Sequence, residues 1–181
     1  MFESIIVENI IKFGLPLVLI ILFLRGLIIA KPISATLLIS TYTILTGATS
    51  LSDVVIITSV TAVATTLGAI VIYKNFQDNN KNKSSQVDKY IPDKIAVKIE
   101  SIYTKNKFSK KLNNNVHLMG IFIFISNVIP GFRHMASIPA GKNGYNIYKF
   151  ILLSYFSTFI YHTTFTYIII QGIDILFFDI A

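Results

Sequence analysis

A chain of 181 residues that is 53% apolar and 14% charged does not have the composition of a soluble domain, where about a quarter of residues are charged. With no cysteine it holds no disulfide, no zinc–thiolate site and no thiol nucleophile. Its net charge of +7 is concentrated beside apolar segments, which points to a membrane surface and sets a nucleic-acid partner aside.

In chain order, Met1-Phe2-Glu3-Ser4 places an acid where a secretory signal carries a basic region, so the first apolar segment is expected to stay in the mature protein. That segment, residues 13–24, has Lys12 and Arg25 at its ends and Pro16 inside. Together with residues 26–30 it is long enough to span, with Arg25 snorkelling or facing protein. Windows 33–52 and 54–73 carry no charge over 20 residues each, and 150–173 carries none over 24. At about 1.5 Å per residue, 20 helical residues cover the roughly 30 Å hydrocarbon core. Ser50-Leu51-Ser52-Asp53 is a capping-box pattern for the helix over 54–73. Along that helix Thr58, Thr61, Thr65 and Gly68 share a face suited to packing against other helices.

A basic linker follows. Between Lys74 and Lys111 ten lysines stand against four acids, a net +6 that places this loop in the cytoplasm. Residues 79–85 are polar loop. From Pro92, Ile91, Ile95, Ile99 and Ile102 form an apolar stripe opposite Lys94, Lys98 and Lys105, an amphipathic helix over about 91–105 able to lie on the membrane. Then an apolar segment, 118–125, runs into Asn127-Val128-Ile129-Pro130-Gly131-Phe132-Arg133, with Ser137-Ile138-Pro139-Ala140-Gly141 behind it. Irregular backbone and a guanidinium are tolerated in a bilayer only where protein or a wet cavity surrounds them, so this stretch reads as the lining of a polar cleft. A final helix over 150–171 carries Ser154, Ser157, Tyr161 and Thr164 on one face.

The two hydrophobic halves repeat an order of parts: an apolar stretch broken by Pro, a glycine (Gly47, Gly141), then a long uncharged helix. Such paired Gly/Pro-interrupted segments point to a transporter built from internal repeats. Neither Pro-containing segment is long enough for two full crossings, so both read as re-entrant. The expected fold is an all-α integral membrane protein in which two re-entrant helical hairpins and transmembrane helices are related by an internal, inverted repeat. It forms one domain over 1–181: a first half 1–73, the linker 74–115 and a second half 116–181.

Arg133 leads the candidate site residues, because its guanidinium is a fixed fork of donors for a phosphate. Pro130, Gly131 and Gly141 shape the bend and offer backbone N–H groups to an anion. Asn127 reads equally as a hydrogen-bonder across the cleft or to a neighbouring helix. His134 neighbours Arg133 and titrates near neutral pH. Pro32 and Ser34 are the first-half counterparts. His162 reads as an interhelical hydrogen-bonder, His117 as an interfacial residue and Asp53 as a cap. The histidines lack ligand spacing and nearby carboxylates, and no nucleotide loop is present, so no metal, cofactor or catalytic residue is expected. Undecaprenyl-pyrophosphate phosphatases also use two re-entrant hairpins, but they need carboxylates in the first, and this chain has none between Glu8 and Asp53.

Over about residues 91–172 the chain resembles the DedA family of membrane proteins, the VTT-domain superfamily. Ile99-Glu100-Ser101-Ile102-Tyr103 is similar to the amphipathic stretch before that family's second hairpin. Pro130-Gly131-Phe132-Arg133 resembles its Pro-Gly-x-Arg signature, and Pro139-Ala140-Gly141 its following Pro-Ala-Gly. Lys149-Phe150 and residues 155–167 resemble the step into its last helix. The chain departs from the family at Pro32-Ile33-Ser34-Ala35, which lacks the usual acid, and at Asn127, where the family usually has Arg; both weigh against proton coupling. The resemblance implies a multi-pass plasma-membrane protein, not an enzyme, that translocates a phosphate-bearing lipid such as a polyprenyl phosphate or phospholipid, with homo-oligomers possible. The alternatives are a proton- or cation-coupled small-solute transporter and a non-transporting membrane scaffold.

Overall fold

The computed structural model describes residues 14–26, 34–81, 115–129 and 136–178. Their regular structure is entirely helical: α1 (Leu15–Gly26), α2 (Ala35–Leu45), α3 (Leu51–Lys81), α4 (Val116–Val128), α5 (Ser137–Lys142) and α6 (Ile147–Phe178). Pro32, the segment Pro130 to Met135 and the surface helix expected over about 91–105 lie outside the described residues.

Local chemistry sets the helix ends. Pro16 falls in the first turn of α1, where its missing N–H costs nothing. Ser34 caps α2 by accepting from Leu37 N, and Asn115 caps α4 by accepting from His117 N and Leu118 N. Ser50 caps α3: its Oγ accepts from Asp53 N at 3.2 Å and also bonds the Asp53 carboxylate. Asn146 does the same for α6 through Tyr148 N and Lys149 N, at 3.0 and 3.2 Å.

The exits of α2 and α5 match bond for bond. Gly47 N donates to Ile44 O and Ala48 N to Thr43 O; Gly144 N donates to Gly141 O and Tyr145 N to Ala140 O. Both are Schellman turns, with Gly47 at φ 68° and Gly144 at φ 62° supplying the left-handed residue. The sequence pairs Gly47 with Gly141, whereas the turn glycine is Gly144, because Gly141 is still helical and meets a neighbour's backbone instead.

The uncharged window 33–52 is consequently not one helix. Its helix α2 is capped at both ends after 11 residues, and α4 is capped at both ends after 13. Among the described residues one helix, α3 over Leu51–Gln77, is long and apolar enough to cross a membrane. It continues past Tyr73 because no Gly or Pro interrupts residues 74–81. The last helix is of similar length, 32 residues, but its inward hydroxyls and His162 lower its apolarity.

The chain divides into two units, Met1–Gly68 with Tyr155–Ala181, and Ala69–Ser154. In the first, Val18 and Leu22 of α1 pack with Ala35, Leu38 and Ile39 of α2 and Ala64 of α3. Near the end of α1 the backbones touch: a Cβ on Gly26 would stand 2.8 Å from both Gly68 Cα and Thr65 O. Thr58 and Thr163 share a hydrogen bond of 2.7 Å, as do Ser59 and Tyr155. In the second unit, Tyr73 stacks on Phe150 at 4.8 Å, within a cluster of Ala69, Met119, Ile123, Ala136, Ala140 and Tyr145.

The buried faces mix hydroxyls with apolar side chains, while many large apolar side chains are exposed. Thr36, Ser40 and Thr43 of α2 are buried while Leu37, Ile44 and Leu45 are exposed. Thr58, Thr61 and Thr65 of α3 are buried while Ile56, Val63 and Leu67 are exposed. The inner face of α6 holds Ser154, Ser157, Thr158, His162 and Thr166, and the outer face Leu152, Phe156, Ile160 and Ile168. Thr164, expected on the inner face, is exposed, because 3.6-residue periodicity carries that face on through His162 to Thr166.

The Gly26–Gly68 contact predicts that Gly68→Ala lowers stability by about 1–3 kcal/mol through overpacking. Gly172→Ala, whose Cβ would meet nothing within 4 Å, should hold or gain up to about 1 kcal/mol from helix propensity. Thermal unfolding in detergent micelles compares them; equal melting would mean the two backbones do not touch.

Candidate functional site

The candidate residues on α4 and α5 belong to the second unit. α4 reaches Val128 and stops at Ile129, which is extended (ψ 123°) with its N–H on Ile125 O. In its last turn, Ser126 and Asn127 are 3% and 4% exposed, the polar residues of an otherwise apolar inner face. The Ser126 hydroxyl is satisfied by Ile123 O at 3.0 Å.

Downstream of the break, α5 is anchored to α3. Gly141 lies so close to Tyr73 O that a Cβ would collide with it. The Tyr73 hydroxyl donates to Tyr145 O and accepts from Gln77 Nε2. Lys142 Nζ stands 5.6 Å from the centroid of the Phe76 ring, a cation–π distance. Burial in this turn pushes the Tyr145 hydroxyl pKa above its ordinary value, which keeps it neutral. Met119 and Ile123 before the break, and Ala136 and Ala140 after it, share one apolar cluster. α4 and α5 are therefore joined through one packed cluster.

Of the eight candidates, the structure brings Asn127 and Gly141 into one unit, both buried. Ser34 belongs to the other unit, exposed, as the cap of α2. Pro32, Pro130, Gly131, Arg133 and His134 lie outside the described residues. Among the described residues no three of His, Cys, Asp and Glu gather as metal ligands. His162 is fully buried on the inner face of α6, and Asp53 sits in its cap.

Arg25, which the sequence offers as either snorkelling or facing protein, is half-buried, with its Nη1 out of contact with solvent. No family model matches the chain, and no curated protein or solved structure matches it.

Tyr73→Phe should cost about 1–3 kcal/mol by leaving the Tyr145 carbonyl without its donor. Thermal unfolding in micelles reads this directly, and an unchanged midpoint would remove the bond from the anchoring of α5.

Proposed function

We propose that the protein is a multi-pass plasma-membrane protein of DedA type that moves a phosphate-bearing lipid, such as a polyprenyl phosphate or a phospholipid, between leaflets. The observation that carries this reading is that α2, α3 and α6 bury many hydroxyls among their apolar residues while exposing large aliphatic and aromatic side chains. An outer face of Leu, Ile, Val and Phe suits hydrocarbon, and an inner face of hydroxyls suits a headgroup that must shed water. The inner hydroxyls cost the membrane little, because those of Thr43, Thr58 and Thr65 bond carbonyls of their own helices.

The chain order supports two re-entrant hairpins related by an internal repeat. Eight residues, one of them proline, separate α1 from α2 and likewise α4 from α5. Each pair then leads through the same glycine turn and a side-chain cap into a helix of 31 or 32 residues. α2 and α4, at about 1.5 Å per residue, cover roughly 17 and 20 Å, well short of a roughly 30 Å core. Such lengths fit arms that enter and leave by one face.

In this mechanism the guanidinium of Arg133 takes the phosphate with paired donors as the headgroup leaves water, and the neighbouring polar groups replace its hydration. The acyl or isoprenoid tails stay in hydrocarbon throughout. Gly141 and the Tyr73–Tyr145 bond anchor α5 and the turn after it against α3.

Purified protein in vesicles carrying headgroup-labelled phospholipid or polyprenyl phosphate should expose inner-leaflet label to dithionite faster than empty vesicles do. Arg133→Gln should slow that exchange about tenfold, the worth of one charge-assisted phosphate contact. Exchange no faster than in empty vesicles, for every lipid, would overturn the reading; an unchanged rate in Arg133→Gln would remove Arg133 from it.

A further inference from the structure

We propose that the second unit carries a lysine collar that docks on the anionic phospholipid headgroups of one leaflet, formed where the end of α3 meets α5 and the start of α6. The collar rests on the membrane reading but not on lipid movement, so the two can fail separately.

Two long helices change from uncharged to charged at one place. Residues 54–73 of α3 and 150–173 of α6 carry no charge; Lys74 directly follows the first window, and Lys149 directly precedes the second. The residues at those two edges, Tyr73 and Phe150, stack on each other with ring centroids 4.8 Å apart. Lys74 and Lys149, both exposed, are therefore the chain neighbours of one stacked pair. A third lysine reaches the same level from α5. Gly141 packs on the Tyr73 carbonyl, and Lys142 beside it extends to α3, its Nζ 5.6 Å from the centroid of the Phe76 ring. Tyr73 thus ties together three elements, and each of them places a lysine next to the contact.

Three lysines on three elements at one level, two of them exposed, suit a flat array of anions better than a single ion in a pocket. Lysine is a flexible point charge, without the rigid fork that selects one phosphate. Tyr148, 75% exposed beside Lys149, adds the amphipathic aromatic ring that favours a headgroup layer. No acid stands among the described side chains of this unit to compete for the ammonium groups. The wider charge agrees. Residues 69–154 hold thirteen Lys and Arg against four acids, whereas the rest of the chain holds three against five, so an anionic surface attracts one unit and not the other.

The test is equilibrium binding of dioctanoyl phosphatidylglycerol and dioctanoyl phosphatidylcholine to the full chain in neutral micelles, with the melting temperature as a second readout. Phosphatidylglycerol should bind about tenfold more tightly or better and raise the melting temperature further, and high salt should erase the difference. Lys74→Gln with Lys149→Gln should weaken phosphatidylglycerol binding about twentyfold, about fivefold for each charge, and leave phosphatidylcholine unchanged. Both positions are exposed, so this pair should melt as the wild type does in lipid-free micelles. Lys74→Arg with Lys149→Arg should keep the preference, because a charged layer reads charge rather than donor geometry. Equal binding of the two lipids by the wild type overturns the collar. So does an undiminished preference in the glutamine pair, its loss in the arginine pair, or its complete loss when Lys83→Gln and Lys89→Gln alone are made in the linker. Lipid exchange that fails while the preference persists overturns the translocation reading and leaves the collar standing.

Discussion

A hydroxyl turned inward from an apolar helix needs an acceptor inside the protein, and in this chain the helix itself supplies it. Thr43, Thr58, Thr61 and Thr65 each donate to a carbonyl three or four residues earlier in their own helix. This self-satisfaction lets α2 and α3 bury polar faces without a network of side-chain partners. It leaves the outer faces free to be purely apolar. Thr66 and Thr166 do not take that local solution.

Glycine does the complementary work of bringing backbones together. Gly26 and Gly68 remove the two side chains that would hold α1 off α3, and Gly141 does the same for α5 against Tyr73. In the membrane protein proposed above, close approach would matter because lipid offers no hydrophobic gain for helix association, so contact and dispersion must supply it.

Much of this was legible in the sequence where the determinant is local. The Ser50–Asp53 cap, the helices after Gly47 and Lys142, and the buried face through Thr58, Thr61 and Thr65 follow from residue types and a 3.6-residue period. Thr164 was misplaced because a face read at strict spacing drifts over three turns, and the true line passes through His162 to Thr166. Gly141 was misread as a bend because a glycine that faces another backbone and one that adopts positive φ look alike in sequence; Gly144, three residues on, makes the turn. Arg25 was legible as a charge at the end of an apolar run, open to snorkelling or to facing protein.

The helix ends add a register that no single residue reveals. Arg25 is the penultimate residue of α1 and stands ten positions before the start of α2; Asn127 is the penultimate residue of α4 and stands ten positions before the start of α5. One station thus carries a cation in the first half and a neutral amide in the second. If both halves descend from one plan, that plan fixes the helix ends and the eight-residue interval between helices but not the charge at this station, because the caps and turn glycines set the register without it.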